Sequence, residues 1–154
     1  PSGRRFAGSA ACAECHQEAF DVWKDTPHAQ ALTTLEKQSP RRDGDPECLS
    51  CHVVGWAAQR FEPFEGGFEG MKATPHLAHQ GCENCHGPAA AHTAVERGDV
   101  KATEAERDRL RRDLALTLAT PEGKQKAVNN CLECHDLDNS PKFDFDTYWP
   151  EVKH

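Results

Sequence analysis

The stretch "GCENCHGPAAAH", from Gly81 to His92, contains two cysteines three positions apart with a histidine directly after the second. The same pattern, Cys-x-x-Cys-His, occurs four times and uses all eight cysteines of the chain. Its copies are "CAECH" at 12–16, "CLSCH" at 48–52, "CENCH" at 82–86 and "CLECH" at 131–135. A pattern that leaves no cysteine over indicates one chemistry used four times.

Zinc ribbons, redox dithiols and covalent haem attachment all use Cys-x-x-Cys, but only haem attachment needs the following histidine. Histidine makes up 9 of the 154 residues, so its presence after all four pairs has odds of about one in 100,000 by chance. We therefore predict four covalently attached haem c groups. The predicted thioether residues are Cys12, Cys15, Cys48, Cys51, Cys82, Cys85, Cys131 and Cys134, and the predicted proximal iron ligands are His16, His52, His86 and His135.

The composition is poor in core-forming residues. Isoleucine is absent, and Leu, Val and Phe together make up about 16% of the chain, below the roughly 20% at which a charged sequence begins to look disordered. Porphyrins must then supply apolar surface. We expect a single tetrahaem cytochrome c domain over 1–154, mainly α with much irregular structure, in which haem packing replaces a conventional core.

The remaining histidines are candidates for the sixth iron position. Met71 is the only methionine, so bis-histidine ligation is expected at most haems. The triplet Thr-Pro-His occurs at 26–28 and again at 74–76, which favours His76 over the nearby His79. The distal candidates are His28, His76, His92 and His154, with His79 as the alternative.

For two of these candidates, His92 and His154, the position in the sequence predicts how each would reach an iron. His92 lies six residues after His86, too close to loop round the edge of the same porphyrin, so it is expected to serve a neighbouring haem. His154 is the last residue, and an aromatic strap before it is expected to dock the tail. The strap consists of Phe143, Phe145, Tyr148 and Trp149.

Helix signals are short. A helix beginning at Pro27, with Thr26 as its cap, would place His28, Leu32 and Leu35 on one face against a haem. Helices are also predicted over 89–98, ending at Gly98, and from Thr120 into Cys131. A further helix is predicted from a Thr103 to Glu106 capping box, with Leu110, Leu114 and Leu118 on one stripe. Arg107, Arg109, Arg111 and Arg112 are interpreted as a solvated face.

Residues 53–70 favour a loop or short hairpin, and Trp23, Trp56 and Trp149 are expected at haem edges.

The segments "GSAACAECHQEAFDVWKDTPHAQAL" and "GCENCHGPAAAH" resemble the tetrahaem cytochromes related to cytochrome c554 of nitrifying bacteria. The resemblance covers residues 8–92 strongly and the last "CLECH" more loosely. It implies haems packed as stacked and roughly perpendicular pairs, and a route for electrons through the chain. It also implies that His92 caps the first haem and His28 the third. In that family one haem has no sixth protein ligand, whereas five spare histidines here would suffice to cap all four.

The function expected from these features is electron transfer between redox partners or other cytochromes, without enzymatic activity. The formal charge of -7 favours a basic docking partner over nucleic acid, and no apolar run approaches the roughly 18 residues of a membrane span. Because c-type attachment is generally extracytoplasmic, we expect an exported periplasmic or extracellular protein of bacterial or archaeal type. The alternatives are a reductase or small-ligand binder at an open haem, and a structural subunit of a haem filament, a homo-oligomer or a larger redox complex. No lysine follows a Cys-x-x-Cys pair, so a lysine-ligated catalytic haem has no support.

Overall fold

The computed structural model describes residues 5–57 and 60–154, and within them the chain is mainly helical with much irregular structure, as predicted. The helices are α1 (Ser9–Ala13), α2 (Gln17–Lys24), α3 (Ala31–Glu36), α4 (Pro46–His52), α5 (Cys82–His86), α6 (Ala90–Glu96), α7 (Glu104–Leu114), α8 (Pro121–Leu132) and α9 (Phe145–Tyr148). Single 3₁₀ turns span Pro27–Gln30, Pro75–Leu77 and Trp149–Glu151. Strands β1 (Trp56–Ala57) and β2 (Glu62–Pro63) form a small antiparallel hairpin, within the segment predicted as loop or hairpin; residues 58 and 59 of that segment lie outside the described ranges.

Each Cys-x-x-Cys-His motif forms a helical turn. The third motif is the whole of α5 and the second closes α4. In the first and fourth motifs the amide of the histidine donates to the carbonyl of the first cysteine, His16 to Cys12 at 2.8 Å and His135 to Cys131 at 2.9 Å. Residues three and four apart share one face of a helix, so each turn presents two thiols and one imidazole in the same direction.

A small conventional core exists around the second motif. It is built by Leu32, Leu35, Leu49, Val53, Val54, Phe68 and Leu77. The remaining described elements bury little: α2 and α7 contain no buried residue. Side chains alone therefore hold only one part of the molecule, which fits the expectation that a cofactor supplies the remaining apolar contacts.

The helix predicted from Pro27 is interrupted, so the prediction that His28, Leu32 and Leu35 share one face is wrong. A 3₁₀ turn precedes α3, and three residues per turn rotate His28 out of the α-helical register. Leu32 and Leu35 face the core. Thr26 does not cap the turn, because its hydroxyl donates to the Trp23 carbonyl at 2.7 Å.

Two other predicted helices, α7 and α8, form in the structure, and α7 is shorter than predicted. The Thr103 and Glu106 capping box forms as predicted, but α7 ends at Leu114, so Leu118 lies outside it and the predicted stripe is shorter. The basic residues of α7 are not all solvated, since Arg107 and Arg111 bind Glu96 of α6. The helix predicted to begin after Thr120 is confirmed as α8, with the Thr120 side chain accepting from the Gly123 amide.

The third motif is also the mechanical centre of the fold. Glu83 is buried, and its carboxylate accepts hydrogen bonds from the amides of Ala7, Gly8 and Ala89 at 2.7–3.0 Å. Asn84 accepts from the Gly81 amide at 2.8 Å and donates to the Val53 carbonyl at 3.0 Å. These two residues fill the variable positions between the cysteines and tie the N-terminal segment and the second motif to the third.

We predict that Glu83→Gln lowers the free energy of unfolding of the intact protein by about 2–4 kcal/mol. The amide directs an NH2 group at backbone donors in place of an oxygen, which leaves buried amides unpaired. Guanidinium unfolding followed by circular dichroism measures the loss. Glu65→Gln, at an exposed carboxylate, is the matched control. Equal stability of the two variants would contradict this role for Glu83.

Candidate haem-binding site

The cysteines of different motifs lie next to one another. All eight are free thiols in the described residues, so no disulfide forms among them. Cys12 and Cys82 interact at close range, which lowers the pKa of the Cys82 thiol to about 6 and raises that of Cys12. Cys51 and Cys134 form a second such pair, in which the pKa of Cys51 falls to about 6 and that of Cys134 rises.

Backbone contacts join the motifs in the same order. The Cys82 amide donates to Ser9 Oγ of α1 at 3.1 Å, which links the first and third motifs. Asn130 of α8 donates to the Cys85 carbonyl at 2.8 Å, which links the third and fourth. The Cys51 thiol faces the Glu133 carbonyl at 4.0 Å, which links the fourth and second. Contacts therefore link the first motif to the third, the third to the fourth, and the fourth to the second.

The motif histidines are oriented through Nδ1. His52 Nδ1 lies 2.6 Å from the Ala31 carbonyl oxygen, and His86 Nδ1 lies 2.9 Å from the carbonyl oxygen of Leu114, the last residue of α7. A carbonyl oxygen only accepts, so Nδ1 carries the proton in both rings and Nε2 keeps its lone pair. His135 Nδ1 is paired with Ser140 Oγ at 3.0 Å. This is the usual arrangement of a histidine that binds metal through Nε2.

Two distal candidates face motif histidines. The ring centroids of His86 and His154 are 5.8 Å apart, and those of His135 and His28 are 6.1 Å apart. Two imidazoles on opposite sides of one iron have centroids about 6 Å apart, because each metal–nitrogen bond is about 2 Å long. His154 Nδ1 also donates to a carbonyl, that of Val152 at 3.0 Å, which leaves its Nε2 free.

This pairing differs from the one that the family resemblance implied. His28 faces the histidine of the fourth motif, and the chain terminus supplies the ring that faces the third. The aromatic strap holds the tail in place: Phe143 stacks on His135 with centroids 4.6 Å apart, and Tyr148 meets the same ring edge-on at 5.7 Å. Burial, together with the neighbouring His135, lowers the pKa of His28 and favours the neutral form that binds iron.

His92 is associated with the first motif. It lies on α6 with its side chain 19% exposed, and burial lowers its pKa, with further contributions from Glu96, which raises it, and from His16, which lowers it. This electrostatic effect of His16 is what associates His92 with the first motif. Among the described residues no histidine ring contacts His52 or His16. The second motif differs from the first in that no spare histidine shows an electrostatic effect from His52, whereas His92 shows one from His16.

His76 and His79 are placed differently from the other candidates. His79 Nδ1 accepts a hydrogen bond from the Leu32 amide at 3.2 Å, so in the neutral ring the proton sits on Nε2, the atom that would bind iron. His76 is exposed, and its ring lies beside Gly8 at the start of α1. Neither ring contacts a motif histidine within the described ranges.

The donor set fits haem better than other metal groups. In the described part of the chain no three His, Cys, Asp or Glu side chains converge as a metal site, so the cysteine pairs do not assemble zinc ribbons.

Two buried side-chain atoms of the described residues have no hydrogen-bond partner, His92 Nδ1 and Trp56 Nε1. Trp56 lines a cavity of about 390 Å³ between the second, third and fourth motifs, which Ser50, Asn84 and Cys134 also line. Trp23 and Trp149 instead make protein contacts, with the Gln80 carbonyl and the Phe145 ring.

Several residues that shape the site could not be identified from a sequence motif. Ala31 and Leu114 act through backbone carbonyls, which leave no trace in side-chain patterns. Glu83 and Asn84 occupy positions that the haem motif leaves variable. Glu96 had a readable signal, since it lies four residues after His92 on a predicted helix and therefore on the same face.

Comparisons with known proteins match the chain to one cytochrome family. The family model "Cytochrome c554 and c-prime" matches residues 11–87, half of the chain. Cytochrome c-554 of Nitrosomonas europaea is 30% identical over 166 aligned positions, which span 96% of this chain and 66% of that protein. The solved structure of reduced cytochrome c554 from Nitrosomonas europaea matches with a TM-score of 0.62 and 24% identity, over 97% of this chain and 83% of that one. At that identity the structural match shows the fold alone.

The fold, the repeated motif and these matches define a multihaem c-type cytochrome, whose cofactor is covalently attached haem c. Within that class the chain belongs to the cytochrome c554 and c-prime family. It spans 66% of the length of its curated relative. No helix of the described residues is long and apolar enough to cross a membrane.

We predict that His79→Ala leaves the number of low-spin haems unchanged and lowers stability by about 1 kcal/mol, the usual net value of one hydrogen bond. Electron paramagnetic resonance and chemical denaturation measure the two quantities. His79→Asn provides a matched variant, because its side-chain oxygen is able to accept from the Leu32 amide and should recover part of the stability. Loss of a low-spin haem in His79→Ala would make His79 an iron ligand.

Proposed function

We propose that this protein is an electron carrier that holds four haems in one domain and passes electrons along them. The observation that carries the proposal is that contacts link all four motifs to one another, between Cys12 and Cys82, Asn130 and Cys85, and Cys51 and Cys134. A bound haem c supplies a one-electron Fe(III)/Fe(II) couple. Neighbouring attachment sites keep consecutive porphyrin edges close, as rapid electron transfer requires.

In this proposal each motif anchors a haem through its two cysteines and binds the iron through its histidine. His92 caps the first haem, His154 the third and His28 the fourth. The support is the 5.8 Å and 6.1 Å ring separations for His154 and His28, and the electrostatic proximity of His92 to His16. Each cap comes from a segment far from its motif in sequence, so each haem also links distant parts of the chain.

The surface charge indicates the kind of partner that the carrier would bind, and the attachment chemistry indicates its location. The chain has a formal charge of -7, and haem propionates would add to it. Such a surface favours basic docking faces on redox partners, with weak, transient and salt-sensitive contacts. Covalent haem attachment favours a periplasmic or extracellular location.

Alanine variants test the ligand pairing. His28→Ala, His92→Ala and His154→Ala should each convert one haem from low spin to high spin, because each removes one sixth ligand. Haem-normalised spin counting by electron paramagnetic resonance measures the conversion. His76→Ala is the matched control and should leave the count unchanged. A distal variant with the wild-type count would remove that histidine from the proposed set.

A second function is favoured at the second motif, because among the described residues no spare histidine shows a ring contact with His52 or an electrostatic effect from it. A haem on the second motif would then have an open position that accepts a small ligand. Carbon monoxide added to the reduced protein should bind one haem per chain, since capped haems exclude it. Binding should be abolished when Cys48 and Cys51 are both replaced by alanine. Absence of any carbon monoxide complex would leave electron transfer as the only proposed function.

A further inference from the structure

Among the axial candidates, His92 has a buried Nδ1 atom that lacks a hydrogen-bond partner in the described residues. The Nδ1 atoms of His52, His86, His135 and His154 each meet a carbonyl or hydroxyl oxygen at 2.6–3.0 Å. An imidazole that binds iron through Nε2 carries a proton on Nδ1, and that proton needs an acceptor when it is buried.

The nearest acceptor is a carboxylate one helical turn along α6. Glu96 Oε1 lies 3.8 Å from His92 Nδ1, and the two side chains are 22% and 19% exposed. This separation is too long for a hydrogen bond and too short to admit a bridging water. A small change of side-chain torsion in either residue closes the gap, because residues four apart on a helix face one another.

The Glu96 carboxylate is held from the other side by α7. Arg107 Nη1 lies 2.8 Å from Glu96 Oε2, and Arg111 Nε lies 2.9 Å from Oε1. Both arginines also act electrostatically on His92. Glu96 is therefore a fixed anion between a buried imidazole and two cations, in the interface that joins α6 to α7.

We propose that Glu96 accepts the Nδ1 proton of His92 when His92 binds the first haem, and that it thereby positions this ligand and raises its electron donation to the iron. This inference rests on the proposed role of His92. A carboxylate accepts more strongly than the carbonyl and hydroxyl oxygens beside His52, His86, His135 and His154. The reduction potential of the first haem then depends on a charged side chain, and Arg107 and Arg111 moderate that effect by sharing the carboxylate.

The signs of two substitutions follow from this arrangement. Glu96→Gln keeps an acceptor oxygen and removes the charge, so the imidazole donates less electron density and the potential of one haem rises. Arg111→Gln removes one competing cation, so the carboxylate acts more strongly on His92 and the same potential falls. Asp113→Asn is the matched control, because it removes a carboxylate from the same helix whose partner is Arg109, at 3.0 Å, with both side chains more than half exposed.

The experiment combines spectroelectrochemical titration with electron paramagnetic resonance of the haem-loaded variants. The expected result is an unchanged low-spin count, a shift of one haem's potential upward in Glu96→Gln and downward in Arg111→Gln, and an altered g-anisotropy of that haem alone. Asp113→Asn should match the wild type. A general effect of surface charge would shift potentials in the control as well and leave the g-values unchanged, which would overturn the inference.

His92→Ala separates this inference from the function on which it rests. If His92→Ala loses one low-spin haem while Glu96→Gln and Arg111→Gln match the wild type in potential and g-values, the role of Glu96 is overturned and the ligand assignment stands. If His92→Ala keeps every low-spin haem, the ligand assignment fails and the role of Glu96 fails with it. Should Glu96→Gln not fold, the downward shift in Arg111→Gln decides: its presence supports the role, and its absence overturns it.

Discussion

The structure depends on one local constraint, the helical turn of each Cys-x-x-Cys-His motif. The turn places two thiols and an imidazole on one face, and the hydrogen bonds from His16 to Cys12 and from His135 to Cys131 hold that geometry even where the surrounding helix ends. A flat group anchored at such a face needs protein on its other side. With few large apolar residues, the chain meets this need by bringing segments from elsewhere in the sequence over each site.

The hairpin of α6 and α7 shows that segments can be held over these sites with little side-chain packing. Helix α7 has no buried residue and is joined to α6 by the ion pairs of Glu96 with Arg107 and Arg111. Surface ion pairs usually contribute little to stability. These ion pairs therefore matter because they fix the position of α7 relative to α6. Through it, the Leu114 carbonyl reaches His86 and the Glu96 carboxylate reaches the neighbourhood of His92. One weakly packed hairpin thus orients the His86 ring and holds a carboxylate near His92.

The attachment sites can be predicted from the sequence because their chemistry is contiguous: two cysteines and a histidine in five residues need no tertiary information. The fold class follows from the scarcity of apolar residues together with those motifs. The pairing of distal histidines was not readable in the same way. That His28 faces His135 and His154 faces His86 depends on how distant segments meet, and the acceptors that set the tautomers of His52 and His86 are backbone carbonyls. The tautomer of His79, which argues against iron binding, depends likewise on a contact with the Leu32 amide.

The central claim is that three haems are capped by histidines from distant segments and that the second is not. Low-temperature electron paramagnetic resonance of the oxidised protein, with spins counted per haem, tests it most directly. The account predicts three low-spin haems and one high-spin haem in each chain. Four low-spin haems, or more than one high-spin haem, would contradict it.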